Sequence, residues 1–251
     1  MTLWRLEIAR LLRTRRIVVL AGVYLFFGLT DPIITRYLET ILSWFGSSLE
    51  GANISLPAPS VEQALADYSG DAAQLGTLVV VIVAAGSVAL ARPPEMGVFL
   101  RTRVPDIRRL LLPRIVVATA AAVVASLLGT VAAGYETAIL IGPLPWAAMA
   151  ESVAVSVVSL GFVVLLTSVF AQTFRGTLAT VMASLGVLLV MPIIGIVPQI
   201  ARWLPTRLLG ALGELATGTS VVDLWPAILT SVVLGGVCWW LAVIQAGRRE
   251  L

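Results

Sequence analysis

Lysine and histidine are both missing from this 251-residue chain. Without histidine there is no Ser/His or Cys/His nucleophile pair, no helix-borne zinc site and no imidazole proton relay. Without lysine no Walker-type phosphate loop, Gly-x-x-x-x-Gly-Lys-Ser/Thr, can be written, so ATP hydrolysis by that route has to come from another chain. A lone cysteine, Cys238, lies in an apolar run, which excludes an internal disulfide and a thiolate metal centre and leaves the redox compartment unreadable. Charge is scarce as well. Charged residues make up 12% and hydrophobic residues 59% of the chain, with a mean hydropathy of +0.98, too apolar for one soluble core of this length. The composition predicts an integral membrane protein. Its basic residues cluster beside apolar runs instead of forming a stripe, so the expected partner surface is the lipid bilayer and no nucleic acid.

A membrane span needs about 20 mostly apolar residues to cross roughly 30 Å of hydrocarbon, and six segments qualify. Residues 1–16 precede them as an amphipathic helix, with Trp4, Ile8, Leu11 and Leu12 on one stripe and Arg5, Arg10, Arg13 and Arg16 largely off it, suited to the cytoplasmic membrane surface. This basic start has no small-residue cleavage pattern after it and is expected to stay attached. The spans are predicted at about 17–38, 72–91, 113–133, 147–171, 177–197 and 224–246. Asp31-Pro32 falls roughly 22 Å above Arg16 at 1.5 Å per residue, near the outer end of the first span, where the proline suggests a kink. Residues 39–71 read as an external loop in which Ser60 and Gln63 form a capping box for a short helix through Tyr68. Residues 172–176 form a tight inner turn. Residues 199–222 read as a second external segment, whose apolar stretch from Ile200 to Leu212 suits a re-entrant or surface helix. The fold class expected is therefore an all-α integral membrane bundle of six transmembrane helices behind a surface helix, one domain over 1–251.

Orientation follows from the arginines. Those at 5, 10, 13, 15, 16, 92, 101, 103, 108, 109, 114, 175, 248 and 249 fall on one side, and only Arg36, Arg202 and Arg207 on the other. That asymmetry predicts a multi-pass protein of the plasma (inner) membrane with both termini in the cytoplasm.

The most informative segment joins the second and third spans: Ala91-Arg-Pro-Pro-Glu-Met-Gly-Val-Phe-Leu-Arg-Thr-Arg-Val-Pro-Asp-Ile-Arg-Arg-Leu. Its Glu95, Gly97, Phe99, Leu100, Pro105 and Arg108 follow a pattern of a Glu, a Gly two residues on, an apolar turn, then a Pro and an Arg leading into a span. Further strings agree in order and place: Asp31-Pro-Ile-Ile-Thr-Arg-Tyr-Leu, Gln74-Leu-Gly, Gly86-Ser and Tyr135-Glu-Thr-Ala-Ile-Leu-Ile-Gly. In these residues the chain resembles the permeases of type-2 ABC exporters, over most of its length from the surface helix to the fourth span. It departs in the loop, where arginines and prolines replace a run usually richer in Glu and Lys.

The resemblance implies a permease subunit that pairs with a second permease chain, identical or homologous, and with two cytosolic ABC ATPase subunits. ATP and Mg would sit on those partners, and this chain would bind no cofactor directly and be no enzyme. The loop 92–112 would be the ATPase-coupling loop, with Phe99 and Leu100 filling a groove on the partner and Arg101 and Arg103 meeting acids at its rim. The same arginines can equally hold orientation against lipid phosphates.

Polar residues within the spans are the candidate pathway: Gln74, Thr77 and Ser87 in the second, Thr180 and Ser184 in the fifth. Hydroxyls in membrane helices also bond their own backbone, which is the simpler role for them. Pro192 and Pro198 break the fifth span and are the candidate outer gate. Asp31, Glu136 and Glu151 are expected at the hydrated interface, Tyr135 and Trp146 in an aromatic belt, and Gly235, Gly236 and Cys238-Trp239-Trp240 in packing and anchoring. The function expected is export of an amphiphilic or hydrophobic molecule, such as a drug, antibiotic, lipid or peptide. An ion-coupled carrier or channel, and a His-free intramembrane enzyme, are the alternatives.

Overall fold

The computed structural model describes residues 3–46, 58–90 and 107–248. Among them every regular element is helical. Helix α1, Leu3–Arg13, turns a corner at Thr14 and Arg15, where Arg15 takes the left-handed φ of 54°, and the chain enters α2, Arg16–Gly46. On α1 only Leu11 of the expected stripe is buried, while Trp4, Ile8 and Leu12 stay exposed.

The second long helix has three parts. Helix α3, Val61–Asp71, passes through a π-helical turn, Ala72–Gly76, into α4, Thr77–Ser87. Then come α5, Ile107–Leu140; α6, Trp146–Thr173; and α7, Thr177–Ile194. Two short helices, α8 (Pro198–Ala201) and α9 (Ala211–Ala216), flank a 3-10 turn at Pro205–Gly210, and a further 3-10 turn at Val221–Leu224 leads into α10, Trp225–Arg248. Six helices are long and apolar enough to cross a membrane: Arg16–Leu42, Val61–Ser87, Ile107–Leu140, Trp146–Thr173, Thr177–Ile194 and Val221–Arg248.

Two sequence expectations need correction. Residues 39–71 are not one external loop, because α2 continues through Pro32 to Gly46 and the second span begins at Val61. The Ser60 hydroxyl does accept the Gln63 N–H at 3.2 Å, but the helix it starts is not short and runs on to Ser87. The polar residues that read as loop are accommodated because Ala64, Leu65, Tyr68 and Ser69 face inward. Residues 199–222 fold back onto the bundle, burying Leu208, Ala211, Leu212 and Leu215 against α3 and α6.

Glycine and alanine set the core spacing. Helices α2 and α5 cross at Gly28 and Gly129, where a Cβ on Gly28 would strike the Gly129 carbonyl oxygen. Along α5 the buried positions Ala118, Ala121, Ala122, Ala125, Gly129 and Ala133 keep that face small, so two backbones approach closely. Helix α6 packs between α5 and α10, with α4 and α7 also against it. Only 17% of the α7 window is buried, which puts this helix at the edge of the bundle.

The folded-back segment is pinned by one ion pair. Arg207 donates through Nη2 to Glu214 Oε2 at 2.6 Å and through Nε to both carboxylate oxygens at 3.0 Å, with Nη1 on the Asp223 carbonyl at 3.2 Å. The Glu214 hydrogen bonds push the Arg207 guanidinium above its ordinary value. Both partners are partly solvated, so Arg207→Ala should cost about 1 kcal/mol, read as a lowered thermal midpoint in detergent with the long helices intact by circular dichroism.

Candidate functional site

Two polar constellations stand out in an apolar bundle. One lies at the end of the bundle that carries Arg16, Ser87 and Arg114. Helix α4 ends at Ser87, and the chain leaves it through Val88, Ala89 and Leu90, all 3% exposed or less. Carbonyls released there need partners in the interior. The Val88 carbonyl accepts Gln172 Nε2 of α6 at 2.9 Å, and the Ala89 carbonyl accepts Arg114 Nη1 of α5 at 2.6 Å. Arg114, itself 6% exposed, donates through Nε to Glu7 Oε1 of α1 at 3.0 Å, and Glu7 lies 3.7 Å from Arg10. Arg16 of α2 reaches across to Ser87 Oγ at 2.7 Å, its guanidinium lying over Gly86, where a Cβ would sit 3.1 Å from Nη2.

Five helices thus converge on the root of the segment 91–106. Leu90 anchors its start and Leu110 and Leu111 its far side, all buried. Gln172, expected in a turn, instead sits 1% exposed at the centre of this clamp.

The second constellation is a cavity of about 40 Å³ in mid-bundle. Hydroxyls line it from four sides: Tyr24 of α2, Tyr68 and Ser69 of α3, Ser126 and Thr130 of α5, and Ser152, Ser156 and Ser159 of α6, with Thr77 below the π turn and Leu208 to Leu212 closing one side. No charged group lines it. Ser152, Ser156 and Ser159 donate to carbonyls of their own helix at 2.8, 2.7 and 3.3 Å, and the Tyr68 hydroxyl donates to the Ser126 carbonyl at 3.3 Å. Ser69 Oγ and Thr77 Oγ1 are buried without a partner. At roughly 10–15 Å³ per water the space suits about three waters, or one small polar group. The π turn above Thr77 brings the Tyr24 ring within 2.8 Å of where a Gly76 Cβ would be; such turns recur at functional sites.

The sequence-derived pathway residues do not meet in one place. Thr77 lines the cavity, Gln74 is exposed on the π turn, and Ser87 belongs to the clamp. Thr180 and Ser184 are fully buried in α7, bonded to the carbonyls of Gly176 and Thr180 at 3.0 and 2.8 Å. Pro192 sits in the last turn of α7 and Pro198 opens α8, both exposed. Of the residues expected to form a coupling loop, Arg108 is exposed on the first turn of α5, whereas Glu95, Gly97, Phe99, Leu100, Arg101, Arg103 and Pro105 lie outside the described residues.

Sequence reasoning missed the serines of α6 and the Ser126/Thr130 pair of α5. Their signal was the spacing i, i+4, i+7 in one helix and i, i+4 in the other, which puts each set on a single face. Asp31 was also misplaced. It is 5% exposed with Oδ2 unpartnered, so it is a buried acid and not a hydrated one. No protein-family model matches the chain, and no curated protein matches it either.

Proposed function

We propose that this chain is the transmembrane permease subunit of an ATP-driven exporter, working with two separate ATPase subunits and a second permease chain. The clamp at the root of the segment 91–106 is the observation that carries the reading. Glu7, Arg114, Arg16, Ser87 and Gln172 tie that root to five helices. A push on the loop by a closing ATPase would therefore be felt by most of the bundle at once.

In this reading the clamp end faces the cytosol, in keeping with the arginine asymmetry, and α1 lies on the membrane surface with Trp4, Ile8 and Leu12 in lipid. Helix α7 at the bundle edge, with Leu178, Met182 and Leu189 exposed, is the side that would meet the second permease. The hydroxyl-lined cavity is the polar point of a path for an amphiphilic or hydrophobic molecule. ATP and Mg belong to the partner subunits.

Affinity-tagged full-length chain, extracted from its native membrane, should bring down a Walker-motif ATPase. Phe99→Asp or Leu100→Asp should lower recovery of that ATPase at least tenfold while membrane insertion stays unchanged, and equal recovery would count against coupling through this loop. An ion-coupled carrier is the second reading, and the buried Asp31 favours it.

A further inference from the structure

Asp31 occupies the middle of α2 in the tightest part of the bundle, three residues beyond the Gly28 crossing. Its Oδ2 has neither a hydrogen-bond partner nor contact with solvent, and its Oδ1 meets only the Thr30 hydroxyl at 3.5 Å. Across the α2–α3 contact, the Asp71 and Asp67 carboxylates act on it electrostatically, as it does on the Tyr68 hydroxyl. The other charged residues on the outer halves of α2 and α5 are Arg36, Glu39 and Glu136. Among the described residues no arginine forms an ion pair with any of the three aspartates.

Of these three acids on two packed helices, Asp31 is sealed from water and has no positive partner among the described residues. Among the described residues no set of three acids converges to hold a metal ion. An oxygen without accessible surface admits no ammonium group either. A proton needs no room.

The Thr35 hydroxyl donates to the Asp31 carbonyl at 2.9 Å and to Asp67 Oδ2 at 2.8 Å, which ties α3 to α2 one turn beyond Asp31. Thr35 also lines a cavity of about 210 Å³ with Arg36, Glu39, Thr40 and Gln63, at the end of the bundle away from the clamp.

We infer that Asp31 is a proton-binding site between α2 and α3, one helical turn from the cavity that Thr35 lines. In the packed arrangement the carboxyl holds its proton as a neutral acid. When α3 parts from α2 the O–H bond breaks heterolytically, the proton passes to entering water, and the carboxylate left behind becomes hydrated. Opening of this contact thereby releases a proton towards the side of the bundle opposite the clamp. The inference does not rest on an ATPase partner and would serve a carrier equally.

The test uses the full chain in lipid nanodiscs. Infrared spectra of the wild type at about pH 5 should contain the carbonyl stretch of a protonated carboxyl, and Asp31→Asn, its neutral isostere, should lack it. Because the folded chain then holds a proton that the unfolded chain gives up, the wild-type thermal midpoint should fall by several degrees between about pH 4 and about pH 7. Asp31→Asn should flatten that slope. If Asp31→Asn does not fold, the wild-type band decides alone, with Asp67→Asn retaining most of it. Absence of a protonated-carboxyl band from the wild type overturns the inference. So does a thermal midpoint raised by sodium in the wild type and not in Asp31→Asn, which would make the occupant a metal cation.

Discussion

Replacing Gly129 by valine should strongly destabilise the bundle. A Cβ there would lie 2.5 Å from the Tyr68 hydroxyl, 2.7 Å from the Tyr24 carbonyl oxygen and 2.9 Å from the Tyr24 Cβ. Two of these atoms belong to a helix backbone and its first side-chain carbon, which cannot swing away. Relief requires α2 and α5 to separate, and α3 with them, since Tyr68 bonds to the Ser126 carbonyl at this level. Overpacking of this kind costs about 3 kcal/mol, a large share of an ordinary protein's marginal stability. Gly22→Ala and Gly236→Ala provide the contrast, because a Cβ at either site meets nothing within 4 Å. Size-exclusion profiles and thermal midpoints in detergent should show Gly129→Val aggregated or strongly destabilised and the two controls near wild type.

The second large effect belongs to Arg114. Arg114→Met should cost about 3 kcal/mol, because it strips the buried Ala89 carbonyl of its donor and leaves the partly buried Glu7 carboxylate only the longer contact to Arg10 at 3.7 Å. The loss should be partly repaired by the double variant Glu7→Met/Arg114→Met, in which no buried charge is stranded. A coupling of about 2 kcal/mol between the two positions is expected from the complete cycle of thermal midpoints. A local readout accompanies the global one. With its Glu7 tether gone, α1 should become open to proteolysis near Arg13 and Arg15 in Arg114→Met before the rest of the chain does. Additive effects of the two substitutions would mean that the contact in the structure carries no energy.

The long apolar runs and the gathering of arginine at one end were legible from composition and periodicity, because a helix in lipid has to satisfy its own backbone and shed its charges. Asp31-Pro32 was misleading for a physical reason. A proline removes one backbone donor and a lone acid prefers water, so the pair reads as a kinked, hydrated outer end of a span closing near residue 38, yet Asp31 is buried and α2 runs on to Gly46. The neighbouring hydroxyls help to hold it, with Thr30 on the Phe26 carbonyl at 2.8 Å and Thr35 on the Asp31 carbonyl at 2.9 Å.

The stretch Val61–Asp71 was read as a short helix in an external loop, not as part of a span, because it carries Glu62, Asp67 and Asp71. What no local pattern contains is that Tyr68 and Ser69 turn these residues' helix towards partners on α5 and α6. The clamp was hidden for a similar reason: Glu7, Arg16, Ser87, Arg114 and Gln172 are spread over more than 160 positions and meet only after the helices pack. A lone serine at a span end and a glutamine before a turn carry no mark of that meeting.

The central claim is that this bundle is driven through its arginine-rich loop by a separate ATPase. ATP hydrolysis and vesicle transport by the purified chain alone, set beside the same assays on the assembly extracted from its native membrane, test that claim most directly. The account predicts that the assembly hydrolyses ATP, that Leu100→Asp abolishes the ATPase's dependence on this chain, and that the chain alone neither hydrolyses ATP nor moves cargo. Transport by the isolated chain, in the absence of any ATPase, would contradict it.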